Sequence, residues 1–130
     1  MSLNNPLANV LSLIQNYEQL GKVEVITKNN SKTIRAILKI MQDEGYIAGF
    51  EEVAAGHGNM LKILLSGSIN KTNVIRPEYQ IKLVDFEKFE KRYLPAKDFG
   101  IIFISTNQGI ITHKEAKEKK IGGKLLAFCY

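Results

Sequence analysis

Residues 99–116 read FGIIFISTNQGIITHKEA and change periodicity twice. FGIIFIST (99–106) is a continuous apolar run bounded by turn residues, which predicts a buried strand. Asn107, Gln108 and Gly109 break it, and GIIT (109–112) predicts a short second strand. Thr112 and Glu115 have the T-x-x-E spacing of a capping box, so a helix opens there and runs to about Lys120. Gly122-Gly123 is read as its close, and KLLAFCY (124–130) as a last strand.

Upstream, DFEKFEKRYL (85–94) sets Phe86, Phe89 and Tyr93 at helical spacing and stops before Pro95. These aromatics are read as core rather than as a stacking platform. VIRPEYQIKLV (74–84) is strand-like but interrupted by Pro77, which favours an edge or a bend. The C-terminal half is therefore mostly β with one or two short helices.

The N-terminal half reads α-β-α-β-β. Asn5-Pro6 is an N-cap followed by a proline at the first helical position, and Leu7, Val10, Leu11, Ile14 and Tyr17 recur at helical spacing until Gly21. VEVIT (23–27) alternates like a strand. A second helix starts at Ser31-Lys32, buries Ile34, Ile37, Leu38 and Met41, and ends at Gly45. YIAGFEEV (46–53) and NMLKILLS (59–66) are strands joined through AAGHG, with His57 expected at the hairpin tip. SGSINKTN (66–73) is a polar, glycine-bearing hinge. The expected fold class is α+β in two small domains, residues 1–66 and 67–130.

The 130 residues carry a formal charge of +5. Residues 1–66 balance six Lys/Arg with six Asp/Glu, whereas residues 67–130 hold twelve and seven. Two basic regions, 22–39 and 112–124, suggest a polyanionic partner. No apolar run approaches the ~20 residues that span a membrane. The N-terminus has no basic region leading into an apolar stretch, which points to the cytoplasm. A single cysteine, Cys129, cannot form an internal disulfide.

His57, His113 and Cys129 have no metal-ligand spacing, and no cofactor motif is present, so neither a metal nor a cofactor is expected. A small hydrolase would have to pair Ser105 or Thr106 with His113, but no nucleophile elbow surrounds them, and the first position of a helix is a common exposed site. STNQG has two other readings. It is either a turn with satisfied local hydrogen bonds or a contact loop. Ser105, Thr106, Asn107 and Gln108 can both donate and accept hydrogen bonds, as base edges and 2′-hydroxyls require, and Gly109 would allow close backbone approach. Lys114, Lys117, Lys119, Lys120 and Gly122-Gly123-Lys124 lie just beyond and could engage phosphates. In the first half, Ser31 and Lys32 at a helix N-terminus, with Arg35 one turn on, form a second phosphate candidate.

IFISTNQGIITHKEA (102–116) resembles the signature of the universal small-subunit ribosomal protein eight family. The resemblance extends through NPLANVL (5–11), SKTI (31–34), IMQDEGYI (40–47), INK (69–71), EKFEKRYLPAKDFGI (87–101) and GGKLLAFCY (122–130). The length and the RYLPAKDFG block (92–100) look like the archaeal and eukaryotic branch, and the family resemblance carries further expectations. It implies a two-domain, non-enzymatic protein of the small ribosomal subunit, monomeric when free. Such a protein binds a central-domain stem of small-subunit ribosomal RNA, supports assembly and meets neighbouring ribosomal proteins. Its implied RNA contacts are Ser105, Thr106 and Asn107, with Ser31, Lys32 and Arg35; Gln108, Gly109, Gly123, Lys124 and Lys71 complete the set of candidate RNA-binding residues. Asn107 stands where relatives often carry Ser or Thr, and Thr72-Asn73 where many relatives of that branch carry Cys-Gly.

Overall fold

The computed structural model describes residues 5–54, 58–76, 79–96 and 99–130. His57 and Pro77 lie outside the described residues. The chain is α+β and forms two compact units, Met1–Thr72 and Asn73–Tyr130.

In the first unit, α1 (Pro6–Gln19) starts where Asn5 accepts the Ala8 N–H at 3.1 Å. Its buried stripe is Val10, Leu11 and Ile14. The second helix, α2 (Lys32–Asp43), buries Ile34, Ile37, Leu38 and Met41. Both cover one face of an antiparallel sheet of β1 (Glu24–Thr27), β2 (Ile47–Ala54) and β3 (Asn59–Leu65), ordered β1-β3-β2. Val25 faces Ile63 and Thr27 faces Leu61, so the alternating apolar residues of both strands meet the helices. After β3 the chain returns to α1. The Ile69 N–H donates to Glu18 Oε2 at 3.3 Å and the Thr72 N–H to Gln15 Oε1 at 3.0 Å, so this end of the 66–73 segment is tied down.

The second unit is built around β8 (Gly123–Cys129), the central strand of a five-stranded sheet. One flank is β6 (Ile101–Thr106), followed by the edge strand β7 (Gly109–Thr112). The other flank is shared by β4 (Thr72–Val74) and β5 (Gln80–Ile81). A 3-10 turn at Leu83–Asp85 leads into α3 (Phe86–Tyr93), and α4 (His113–Lys119) follows β7 directly. The core joins Phe86, Phe89, Ile102, Ile104, Leu125 and Phe128.

Three of the helices end alike. Beyond α1, Gly21 takes a positive φ while the Lys22 N–H reaches Tyr17 O at 2.9 Å; Gly45 and Tyr46 repeat this on Met41 O at 2.8 Å. In α4 the same double-bonded C-terminal motif is formed with Lys120 in the left-handed position, the Ile121 N–H bonding Ala116 O at 3.1 Å. This corrects the sequence reading, in which Gly122-Gly123 closed that helix.

Candidate nucleic-acid interface

Gly122 and Gly123 are needed for close packing. A Cβ on Gly122 would collide with the Ile81 carbonyl oxygen, and one on Gly123 with the Ser105 carbonyl oxygen and with Ile104 Cγ2 at 2.7 Å. Glycine at both positions lets the start of β8 lie between β5 and β6. Lys124 then pairs with Gln80 on one side and Ser105 on the other. A cleft of about 490 Å³ results, lined by Gln80, Ser105, Thr106, Asn107, Ile121, Gly122, Gly123 and Lys124.

The wall of that cleft is the tip of the β6–β7 hairpin. Thr106 pairs with Gly109, leaving Asn107 and Gln108 as the turn. Gly109 has φ +104°, and open space surrounds the position of its absent Cβ. Its glycine is therefore required by backbone conformation, and among the described residues no neighbour presses against it. The Thr106 hydroxyl donates to Gly109 O at 2.8 Å and accepts the Gln108 N–H at 3.1 Å. It closes the turn. The side-chain polar groups of Ser105, Asn107 and Gln108 make no hydrogen bond to a described residue, and Asn107 and Gln108 are exposed.

The basic helix beside the hairpin is less basic than its sequence. Lys117 Nζ pairs with the buried carboxylate of Glu90 on α3, and Lys119 Nζ lies 3.1 Å from Glu115 on its own helix. Lys114 and Lys120 remain exposed, without a carboxylate partner among the described residues. His113, placed by sequence at an exposed site, is 1% exposed. Its Nδ1 accepts the Ile102 N–H at 3.1 Å, and its Nε2 lies 3.9 Å from Glu90 Oε2. The ring occupies the rung that β7 would have supplied to β6 had the chain not turned into α4. Ser105 is three residues further along β6, about 10 Å of extended strand. His113 is thus committed to the core and is no base for Ser105 or Thr106.

In the first unit, Ser31 Oγ accepts the Ile34 N–H at 3.2 Å. That cap occupies one of the helix-start N–H groups expected to be open for phosphate. Arg35 donates through Nη1 to Asn30 Oδ1, while Asn30 Nδ2 donates to Glu52 Oε2 at 3.0 Å and to Asn59 O at 3.2 Å. The hydrogen bonds from Asn30 and then Asn59, with the Arg35 charge nearby, hold the Glu52 carboxyl below its ordinary value. Lys32 projects free of this network and is exposed, as is Lys71 at the end of the unit. The structure therefore gathers Ser105, Thr106, Asn107, Gly123 and Lys124 around one cleft. Gln108 and Gly109 follow in the same hairpin turn but do not line it, and Ser31, Lys32, Arg35 and Lys71 belong to the other unit. Sequence reasoning missed Gln80, a polar residue on a two-residue strand with no motif around it. Among the described residues no group of three His, Cys, Asp or Glu could hold a metal ion, and no helix is long and apolar enough to cross a membrane.

The sequence profile of the family described as ribosomal protein S8 matches residues 5–130. The chain belongs to the ribosomal protein S8 family. As a member of that family it is a structural protein of the small ribosomal subunit that binds ribosomal RNA, and it is not an enzyme. The hydrolase reading is excluded on that ground as well as by the burial of His113.

Proposed function

We propose that the cleft of the second unit grips a stem of the central domain of small-subunit ribosomal RNA and that this contact supports subunit assembly. The observation that carries the reading is convergence. The outward polar groups of the β6–β7 turn, the glycine-lined start of β8 and the Lys124 ammonium all meet on one cleft, with Gln80 opposite. Ser105, Asn107 and Gln108 discriminate through base edges or 2′-hydroxyls, while Lys124 sits where a phosphate would pass. Thr106 acts by holding the turn, with Gly109 supplying its positive φ. In the first unit Lys32, with Ser31 and Arg35, and further along Lys71, add phosphate contacts. The free protein is a monomer of the cytoplasm, of the archaeal and eukaryotic type, and joins its ribosomal-protein neighbours on the subunit.

The experiment is a binding titration with a labelled small-subunit RNA stem and a random duplex at several salt concentrations. Ser105→Ala is expected to weaken the cognate stem by about 5- to 150-fold, the 1–3 kcal/mol span of a good polar pair, and to leave the salt slope unchanged. Lys124→Gln is expected to weaken both RNAs and to flatten the slope by about 0.7–0.9. Identical behaviour of the two variants would refute the division of labour.

A further inference from the structure

The cations of α3 are placed differently from those of α4. Lys88 and Arg92, four residues apart on one helix face, are exposed, and neither has a carboxylate partner among the described residues. Arg92 holds its guanidinium 5.7 Å from the Tyr79 ring centroid and 5.6 Å from that of Tyr93. Lys88 Nζ lies 5.6 Å from the Phe89 centroid, and Phe89 packs on Tyr79 at 5.3 Å. Two cations thus flank one aromatic pair. Tyr79 is followed directly by Gln80, whose opposite number on β8 is Lys124, and the Tyr79 carbonyl accepts the Leu125 N–H at 2.9 Å. A ridge of Lys124, Gln80, Tyr79, Arg92 and Lys88 therefore runs from the cleft across the same unit onto α3.

We propose that this ridge extends the RNA interface, with Arg92 and Lys88 engaging the phosphate backbone of the strand that leaves the cleft. The inference rests on the cleft being an RNA site. Two arguments assign the occupant. A cation already paired with a carboxylate adds little to the attraction of a polyanion. Lys117 and Lys119 are so paired, whereas Lys88 and Arg92 are not, so α3 contributes as many unneutralised cations as Lys114 and Lys120 leave on the obviously basic helix. Stacking against tyrosine also restricts the guanidinium plane, so its N–H edge is ordered before a phosphate arrives.

The test uses the full chain and the same labelled small-subunit stem. Replacing Lys88 and Arg92 together by glutamine is expected to lower the salt slope by about 1.4–1.8 and to weaken cognate and random duplex alike. Over a fourfold rise in salt, the affinity lost should then shrink roughly ninefold relative to the native protein. Lys119→Gln is expected to leave the slope nearly unchanged. If Arg92→Gln loosens Tyr79 and lowers the melting temperature, Lys88→Gln alone, expected to lower the slope by about 0.7–0.9, still decides the matter. A slope that does not move overturns the proposal, and a loss of affinity independent of salt does so too, by pointing to a protein rather than RNA on α3. Ser105→Ala measured in parallel separates the two readings. If Ser105→Ala weakens the cognate stem while the α3 variants leave the slope intact, this inference alone fails. If Ser105→Ala changes nothing and the α3 variants flatten the slope, the cleft reading fails and the phosphate contact on α3 stands.

Discussion

Lys120 is the only non-glycine among the described residues with a positive φ, at 58°. Gly21 and Gly45 occupy the matching position after α1 and α2 without steric cost, whereas an L side chain there costs on the order of 1 kcal/mol. Lys120→Gly is therefore expected to raise stability by about 0.5–1 kcal/mol, read from the urea midpoint. Asn30 illustrates a different local effect. Its amide donates to Glu52 while its carbonyl oxygen receives Arg35, so it orders both charges. Because the Glu52 carboxyl titrates lower when folded, its network contributes stability above the ordinary glutamate value near ~4.3, and that contribution is lost as pH falls through the lower folded value. Asn30→Ala is expected to move the Glu52 titration back up, as followed by NMR, and to reduce the acid dependence of stability. Caps at Asn5, Ser31 and Thr112 were legible because capping depends on residues a few positions apart. The network around Glu52 was not, because Asn30 and Glu52 are 22 residues apart in sequence.

The helices α3 and α4 were both expected, yet their main contact was not. Phe86, Phe89, Glu90 and Tyr93 follow the i, i+3, i+4, i+7 pattern, and Glu90 stands in the middle of that apolar stripe at 6% exposure. A carboxylate on a core stripe was a readable signal that a cation must meet it. Lys117 does so, and the His113 ring lies beside the same carboxylate, linking α3 to α4 and to the β6 backbone. The cost of removing that cation exceeds the cost of removing a surface one. Lys117→Met is expected to destabilise the fold by about 2–3 kcal/mol, below the 3–5 of a fully buried pair because Lys117 is partly exposed. Lys119→Met, at an exposed i,i+4 pair, should cost less than about 0.5 kcal/mol. Chemical denaturation of the two variants checks the contrast. The glycines show the same limit of local reading. Gly122-Gly123 looked like a helix stop, whereas the neighbours that require them, Ile81 and Ser105, lie 41 and 18 residues earlier in the chain.

For the complete chain, the excess of twelve bases over seven acids in residues 67–130 governs attraction to RNA. If about five phosphates are engaged, log affinity should fall against log salt with a slope of roughly −4. The titration described above measures that slope directly, and the α3 and Lys124 variants apportion it. Periodicity and caps were enough to establish the α+β class, the four helices, the strands β1 to β3 and β6 to β8, and the position of the STNQG turn between two strands. Those features arise from interactions a few residues apart, which a linear reading contains. The single interrupted strand expected over 74–84 is instead β4, which starts inside the expected hinge, and the two-residue β5. The pairing of β8 with both β5 and β6, the neutralisation of Lys117 by Glu90, the burial of His113 and the placement of Gln80 opposite Lys124 depend on which distant strands and helices come to share a surface. Folding selects those partners by burying apolar faces together, and the polar side chains that ride on those faces acquire neighbours that spacing along the chain does not encode.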